Sequence, residues 1–136
     1  MKTILVAIAA LLAGQGALAK QASSNVSVTE LKFYDLYGMP VAKGYGDPAS
    51  GAHSNYIRLP GGTVSPRHTH TSDYYGVVIA GVVANEQARG AVDRPLAPGS
   101  YWYQKGGEEH VTKCISQTEC LIFVSSKGSF DFHPVP

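Results

Sequence analysis

Two histidines separated by a single residue are the feature of this sequence with the clearest chemical meaning. His68 and His70 flank Thr69, and a third histidine, His110, follows a Gly-Glu-Glu run further along the chain. On a β-strand, side chains at positions i and i+2 point to the same face, so this pair directs two imidazoles into one space. A third imidazole from a facing strand would complete a three-nitrogen metal site that keeps a position open for water or substrate. We therefore predict His68, His70 and His110 as ligands of one metal ion.

The elements that must position these histidines have the composition of β-strands. Beyond residue 19 there is no long helical pattern, and segments rich in Val, Ile, Thr and Tyr alternate with Gly, Pro, Asn and Asp. This spacing predicts an all-β sandwich or barrel. The predicted strands are 26–37, 53–59, 63–70, 74–84, 100–104, 109–115, 120–125 and 128–133.

The predicted strand 74–84 is apolar on both of its faces. Residues whose numbers have the same parity, even or odd, point to the same face of a strand. Val78 and Val82 are on one face, and Val77 and Ile79 are on the other. Such a pattern is typical of a strand that is buried on both sides. Two explanations remain open: the N-terminal segment covers the outer side, or that side forms the interface of a homodimer.

The first 19 residues predict a secretory signal peptide. Lys2 is a short positive region, residues 4–13 are an apolar run, and Ala17-Leu18-Ala19 has the small-x-small form of a cleavage site. The apolar run is shorter than the roughly 20 residues that cross a bilayer. We therefore expect a single domain at 20–136 and a secreted or periplasmic location.

The charge balance of this mature chain limits its partners. Without Lys2 it has ten basic and ten acidic residues, so its formal net charge is zero, and the basic residues form no run. Nucleic-acid binding needs clustered Lys and Arg and is not expected. A membrane partner after cleavage is not expected either, because no second apolar segment is long enough to span a bilayer.

The two cysteines are predicted to form a disulfide. Cys114 and Cys120 flank residues 115–119, which we interpret as the connection of a hairpin between strands 109–115 and 120–125. Export would place both thiols in an oxidising compartment, where disulfides persist. The alternative is that Cys114 ligates the metal, but it lies about 13 Å from His110 along an extended strand.

The glycines around the histidine pair resemble the first sequence motif of the cupin superfamily, G-x5-H-x-H-x3,4-E-x6-G. Gly62, His68, His70 and Gly81 match its spacing, and Tyr74 stands where cupins usually carry a metal-binding Glu. The second motif, G-x5-P-x-G-x2-H-x3-N, is matched at three positions and changed at two. Gly99, Gly107 and His110 match, while Lys105 replaces the Pro and Cys114 replaces the Asn.

This resemblance implies a double-stranded β-helix, or jelly-roll barrel, with the three histidines inside it near one end. Cupins commonly hold one divalent transition metal, here zinc, copper, iron or manganese. The resemblance does not fix the reaction, because cupins include dioxygenases, lyases and isomerases as well as proteins that only bind small molecules.

Tyr74 is the most informative departure from the motif. Its parity matches that of His68 and His70, so it should face the same interior. Three roles remain open: a metal ligand as phenolate, a catalytic general acid or base beside the metal, or an aromatic wall without a chemical role.

Three further residues are candidates for a substrate pocket. Tyr101 and Tyr103 share a parity just before the turn that leads to His110, and one parity of this aromatic segment should line the pocket. Glu108 has the parity of His110 and could replace the missing carboxylate, although a solvated loop position is the simpler interpretation.

The functional hypothesis is a secreted, metal-binding protein with a three-histidine centre that serves a small organic ligand, namely a carboxylate, a sugar acid or a phenolic compound. If it is an enzyme, dioxygenase, lyase and isomerase reactions all fit. The alternatives are a non-catalytic periplasmic module that binds or senses a metal or small ligand, and a structural barrel whose site is vestigial.

Overall fold

Alternating burial along the longest strands separates the inside of the molecule from its outside. The protein is described here by a computed structural model that covers residues 21–136, so the predicted signal peptide lies outside the described residues. The strands are β1 (Phe33–Leu36), β2 (Met39–Gly46), β3 (His53–Leu59), β4 (His68–Thr69), β5 (Tyr74–Ala80), β6 (Val83–Glu86), β7 (Tyr101–Gln104), β8 (Val111–Cys114), β9 (Cys120–Ser126) and β10 (His133–Pro134). A 3₁₀ turn at Val28–Glu30 precedes them.

The strands form two facing layers. One layer is a six-stranded antiparallel sheet with the order β1-β2-β3-β9-β5-β7. The other layer contains the pairs β6-β8 and β10-β4, which are joined through isolated bridges between Val64 and Lys113 and between His68 and His110. The all-β prediction is confirmed, and the two layers enclose the core as a jelly-roll sandwich.

Burial on β3 and β9 shows which face of the large sheet is internal. Every second residue of both strands is buried, and the intervening residues are partly exposed. The inner faces meet Val83 and Cys114 of the small layer in one apolar cluster. His68 lies on β4 and His70 directly follows this strand, and both side chains are buried.

The prediction of a single strand over 74–84 is wrong. The strand ends at Ala80, and β6 begins at Val83 in the other layer. Gly81 makes the crossing with a φ of 75°, and a Cβ at this position would come within 2.7 Å of Cys120 Sγ. The outward face of β5 is not covered either, because Ile79 is 45% exposed. Cover by an N-terminal segment is therefore not seen within residues 21–136, and a homodimer on this face stays a prediction.

The predicted hairpin of strands 109–115 and 120–125 is also wrong. β8 pairs with β6, whereas β9 lies between β3 and β5 in the six-stranded sheet. The predicted disulfide is confirmed between Cys114 and Cys120, whose Cα atoms are 5.8 Å apart. It therefore joins the two layers rather than two paired strands. Closing a loop of this length stabilises the fold by about 2 kcal/mol in the chain-entropy account.

Three predicted strands are shorter in the structure than in the sequence pattern. In the structure the predicted strand 26–37 is reduced to Phe33–Leu36, 63–70 to His68–Thr69, and 128–133 to His133. Pro66, which lacks an N–H, interrupts the second of these. β2 has no counterpart among the predicted strands. Within residues 21–136 no helix is both long and apolar enough to span a membrane.

Candidate metal centre

Backbone pairing brings the three histidines together. His68 and His110 lie directly opposite each other and exchange two backbone hydrogen bonds, of 3.1 and 3.0 Å. His70 follows two residues after His68 and points to the same side. All three side chains are buried, and one ring nitrogen from each lies within 4.8 Å of the others. The predicted cluster is thus assembled by a two-residue repeat on one strand and a cross-strand pair.

Each imidazole is held in the tautomer that a metal requires. His68 Nδ1 lies 2.8 Å from the carbonyl oxygen of Pro66, and His110 Nδ1 lies 3.3 Å from that of Glu108. His70 Nδ1 contacts the carbonyl oxygen of Asp131. A carbonyl only accepts, so each Nδ1 carries the hydrogen and each Nε2 keeps its lone pair. Such backbone partners are typical of histidines that ligate a metal.

Burial also keeps these imidazoles neutral. Loss of solvation lowers the pKa of His70 to about 4 and that of His110 to about 3, and the pKa of His68 is lowered for the same reason. The charged form of a buried imidazole is disfavoured because the interior solvates it poorly. Three lone pairs are therefore available at neutral pH, and the residues fit a transition metal.

A segment near the C-terminus holds two of the histidines in place. Phe130 stacks on His70 with ring centroids 4.4 Å apart, and Phe132 stacks on His68 at 4.3 Å. Between them, Asp131 offers its carbonyl oxygen to His70 and its carboxylate to the backbone N–H of Thr71. Phe130, Asp131 and Phe132 were not predicted as site residues from the sequence, although the Phe-x-Phe alternation places both rings on one face.

Tyr74 shares the interior with the histidines, as its parity predicts. It is 3% exposed, and its hydroxyl oxygen lies 3.2 Å from His110 Nε2. Because His110 Nδ1 carries the hydrogen, the tyrosine O–H donates to the Nε2 lone pair in the metal-free protein. A metal on Nε2 would take this lone pair and release the hydroxyl to another acceptor. Burial raises the pKa of Tyr74 to about 12, which keeps the phenol protonated and a donor at neutral pH. The roles proposed for it remain predictions.

The prediction that Tyr101 and Tyr103 line the pocket is wrong. They are 58% and 39% exposed and stack against Tyr75 on the outer face of the large sheet. Tyr74 pairs with Gln104 and Gly76 pairs with Trp102, so the other parity of β7 faces inward. The register of β7 against β5 decides this parity, and the sequence of β7 alone does not reveal it.

Glu108 does not replace the missing carboxylate. Its side chain is exposed and lies 3.5 Å from Lys105 Nζ, while its backbone carbonyl supports His110. Gln104 was not predicted as a site residue from the sequence. Its side-chain amide donates to the carbonyl oxygen of Glu108 at 3.2 Å and accepts from the side-chain amide of Asn85 at 3.0 Å. A buried amide network rather than a carboxylate therefore stands behind the third histidine.

The remaining histidines and Arg67 lie away from the cluster. His53 is buried, with Nδ1 against the carbonyl oxygens of Gly51 and Gly128. His133 is exposed and lies beside Asp131. Arg67 points away from the histidines, as its parity predicts, and pairs with Glu86.

A cavity of about 240 Å³ opens from the cluster between the two layers. His68, His70 and Tyr74 lie on its wall. The rest of the wall is formed by Tyr37, Gly38, Met39, Ile57, Leu59, Thr63, Val64, Ser65, Pro66, Thr112, Ile122, Val124, Phe130 and Phe132. Its size is slightly below the usual range for small-molecule sites, so the cavity suits only a small ligand.

A family model described as a domain of unknown function, DUF4437, matches residues 40–135. The chain belongs to the DUF4437 family. The match includes all three histidines, Tyr74 and both cysteines. A search of curated proteins found no match for this sequence.

Solved structures show that this DUF4437 chain has the cupin fold. The polyketide cyclase RemF from Streptomyces resistomycificus is 15% identical with a TM-score of 0.70, covering 85% of this chain and 87% of its own. An RmlC-like cupin from Shewanella frigidimarina is 14% identical with a TM-score of 0.62, and the match covers 80% of this chain and 94% of the cupin. KdgF from Halomonas sp. is 20% identical with a TM-score of 0.61, and the match covers 76% of this chain and 94% of KdgF. The predicted cupin fold is confirmed, and the three buried histidines form a cluster that could hold a metal ion, as in metal-binding cupins.

The lowered histidine pKa values predict how the stability of this DUF4437 protein depends on pH when no metal is present. Above pH 6.5, the ordinary value, the histidines are neutral in both states and stability is complete. Below it, the unfolded chain binds protons that the folded protein does not, so stability falls with pH until about pH 4 for His70 and pH 3 for His110. We expect a loss of about 1.4 kcal/mol per pH unit for His70 and for His110 between pH 6 and 5.

Urea unfolding at several pH values, after treatment with a chelator, measures this slope. A free energy of unfolding that is unchanged between pH 6.5 and 5 would contradict the burial of three neutral imidazoles. Added Zn²⁺ should stabilise the folded state most near neutral pH, since protons compete with the metal for the same nitrogens.

Proposed function

We propose that this protein is a metal-dependent enzyme that acts on a small organic ligand outside the cytoplasm. The observation that carries the proposal is the convergence of three neutral imidazoles, each with its Nδ1 on a backbone carbonyl, beside a cavity of about 240 Å³. His68, His70 and His110 would hold one ion. An all-imidazole donor set favours zinc, copper or iron over manganese, which prefers oxygen ligands.

When bound, a divalent metal supplies Lewis acidity at a ligand oxygen. The chain's own residues would do the rest. Tyr74 holds a proton on its hydroxyl oxygen, 3.2 Å from His110 Nε2, and in this place it can donate to an oxygen of a ligand in the cavity. The apolar walls exclude water, which strengthens that hydrogen bond.

Two observations support a site of action outside the cytoplasm. The first 19 residues have the pattern of a secretory signal. The disulfide between Cys114 and Cys120 is of a kind that persists in oxidising compartments.

A non-catalytic binding or sensor module is the second candidate. It is favoured by the chemistry of the cavity wall, which has no carboxylate among the described residues to serve as a general base. RemF, one of the similar structures, is a polyketide cyclase, and this supports the enzymatic candidate at the level of fold alone.

The decisive experiment is the metal content of the protein purified from its own periplasm or culture medium. We expect one tightly held ion per chain, and none in the variant with all three histidines changed to alanine. Copper or iron would direct assays to oxygen uptake, and zinc to isomerase and lyase reactions. Wild-type protein without metal, even after reconstitution, would contradict the proposal.

A further inference from the structure

The wall of the cavity beside the histidines has no charged side chain among the described residues. It contains no Asp, Glu, Lys or Arg. Its deep part is formed by aliphatic side chains of the large sheet, namely Ile57, Leu59, Ile122 and Val124. A ligand with a charge away from the metal would lose its hydration and find no partner there, which is costly.

Two basic residues that neighbour wall residues in the sequence, Arg67 and Lys113, are already paired with acidic side chains. Arg67 and Lys113 both contact Glu86, and Lys113 also lies 2.8 Å from Asp93. These side chains form a network on the outer side of the small layer. They cannot recognise a phosphate or a second carboxylate inside the cavity without breaking it.

The wall also offers few free hydrogen-bonding groups to a sugar. Ser65 Oγ donates to the carbonyl oxygen of Pro66 at 2.9 Å and accepts from the backbone N–H of Thr112 at 3.0 Å. Thr112 Oγ1 donates to Asn85 at 2.9 Å. Among the described residues, only the hydroxyls of Thr63 and Tyr37 on this wall lack a hydrogen-bond partner.

Rings and a thioether form the remaining wall. Phe130 and Phe132 lie against the histidines, and Met39 and Tyr37 lie nearer the mouth. Aromatic rings favour offset or edge contacts with another ring, and a thioether sulfur makes favourable contacts with aromatic groups. The cavity is therefore suited to a flat hydrocarbon ring.

Tyr37 is held in a backbone conformation that a tyrosine rarely adopts. It forms the turn between β1 and β2 together with Gly38, and their φ values are 55° and 79°. Such two-residue turns favour Asn-Gly or Asp-Gly, because only a few residue types tolerate a positive φ. Tyr37 is nonetheless 57% exposed and contributes to the cavity wall. Strain retained at the mouth of a cavity points to a role for the side chain.

We infer that the cavity selects a small, mainly hydrocarbon ring compound with a single oxygen-donor group and no second charge, as in a phenol, and that Tyr37 determines this specificity at the mouth. The inference rests on the proposed function, since the oxygen donor is the group that would meet the metal. It narrows the ligand classes predicted from the sequence, because it excludes sugar acids.

Two probes that each offer an oxygen donor test this inference: 2-naphthol and galacturonate. Each probe is titrated into Zn²⁺-loaded protein and its binding is measured by calorimetry. We expect 2-naphthol to bind at least about 10-fold more tightly than galacturonate. The same preference, with weaker binding, is expected in metal-free protein, because the walls rather than the ion select the ring. Metal content is measured on the same samples, so a failure to hold zinc contradicts the proposed function separately.

Tyr37→Asn removes the ring and relieves the turn. It should weaken 2-naphthol binding about 10-fold while the midpoint of thermal unfolding stays the same or rises. Tyr101→Asn is the matched control, since Tyr101 is 58% exposed on the outer sheet face, and it should leave binding unchanged. Binding of neither probe, or preference for galacturonate, would overturn the inference, and unchanged binding by Tyr37→Asn would refute the role of Tyr37.

Discussion

Replacing His110 by alanine is expected to weaken metal binding by more than about 100-fold, because losing a supporting residue alone typically costs 10- to 100-fold. His110 supplies one of three nitrogens, is fully buried, and lies opposite His68 across the strand pair. No acidic or thiol side chain within the described residues joins this cluster to replace it. Competition with a chromophoric chelator measures the affinity, and metal analysis gives the stoichiometry.

The matched control is His53→Ala. His53 is also buried, 2% exposed, but its ring is held by Gly51 and Gly128 and does not belong to the cluster. This variant should lose stability by a comparable mechanism and keep its metal. Equal metal affinity in the wild type and in His110→Ala would show that the cluster is not the metal site. Loss of metal in both variants would mean that general destabilisation, and not ligation, explains the effect.

Replacing Tyr74 by phenylalanine is expected to cut turnover by about 10²-fold or more and to leave metal affinity within about 3-fold. The ring keeps its contacts with His70 and Phe130, while the hydroxyl 3.2 Å from His110 Nε2 is lost. Binding of 2-naphthol tests whether the cavity remains intact, and turnover of a phenolic substrate tests the loss of the proton donor.

The measurements on Tyr74→Phe separate the three roles that the sequence leaves open. A drop in metal affinity of more than 10-fold would make Tyr74 a ligand. Unchanged metal affinity and unchanged turnover would show that Tyr74 only forms part of the cavity wall and has no chemical role. Tyr75→Phe is the control, because Tyr75 is the next residue and points to the outer face, where it is 45% exposed. Neither metal affinity nor turnover should change in that variant.

The chain departs most from the cupin motif at the position where cupins usually carry a metal-binding Glu. Tyr74 places a neutral, protonated phenol where the motif has a carboxylate. Three neutral imidazoles leave the full charge of a divalent ion unbalanced by the protein. Such an ion would attract an anionic oxygen donor, whereas the cavity wall, which has no Asp, Glu, Lys or Arg, would leave any further charge on the ligand without a partner.

The fold class, the three clustered histidines and the disulfide partners could be predicted from the sequence alone. These follow from local regularities: His68 and His70 share a face because a strand repeats every two residues, and the glycines repeat the spacing of a known motif. The cysteines are six positions apart, which is close enough for a bridge in almost any turn. Such features depend on neighbours along the chain, and so they can be predicted without the fold.

The other side chains that reach the site could not be predicted without the three-dimensional packing of the strands. Tyr101 and Tyr103 point outward, and Trp102 and Gln104 inward, because the register of β7 on β5 fixes the parity. Phe130, Asp131 and Phe132 come from about 60 residues away to lock the histidine pair. Tyr37 reaches the cavity mouth from a turn of the opposite layer. Register and long-range packing depend on the sum of many small contacts, and no short stretch of sequence encodes them.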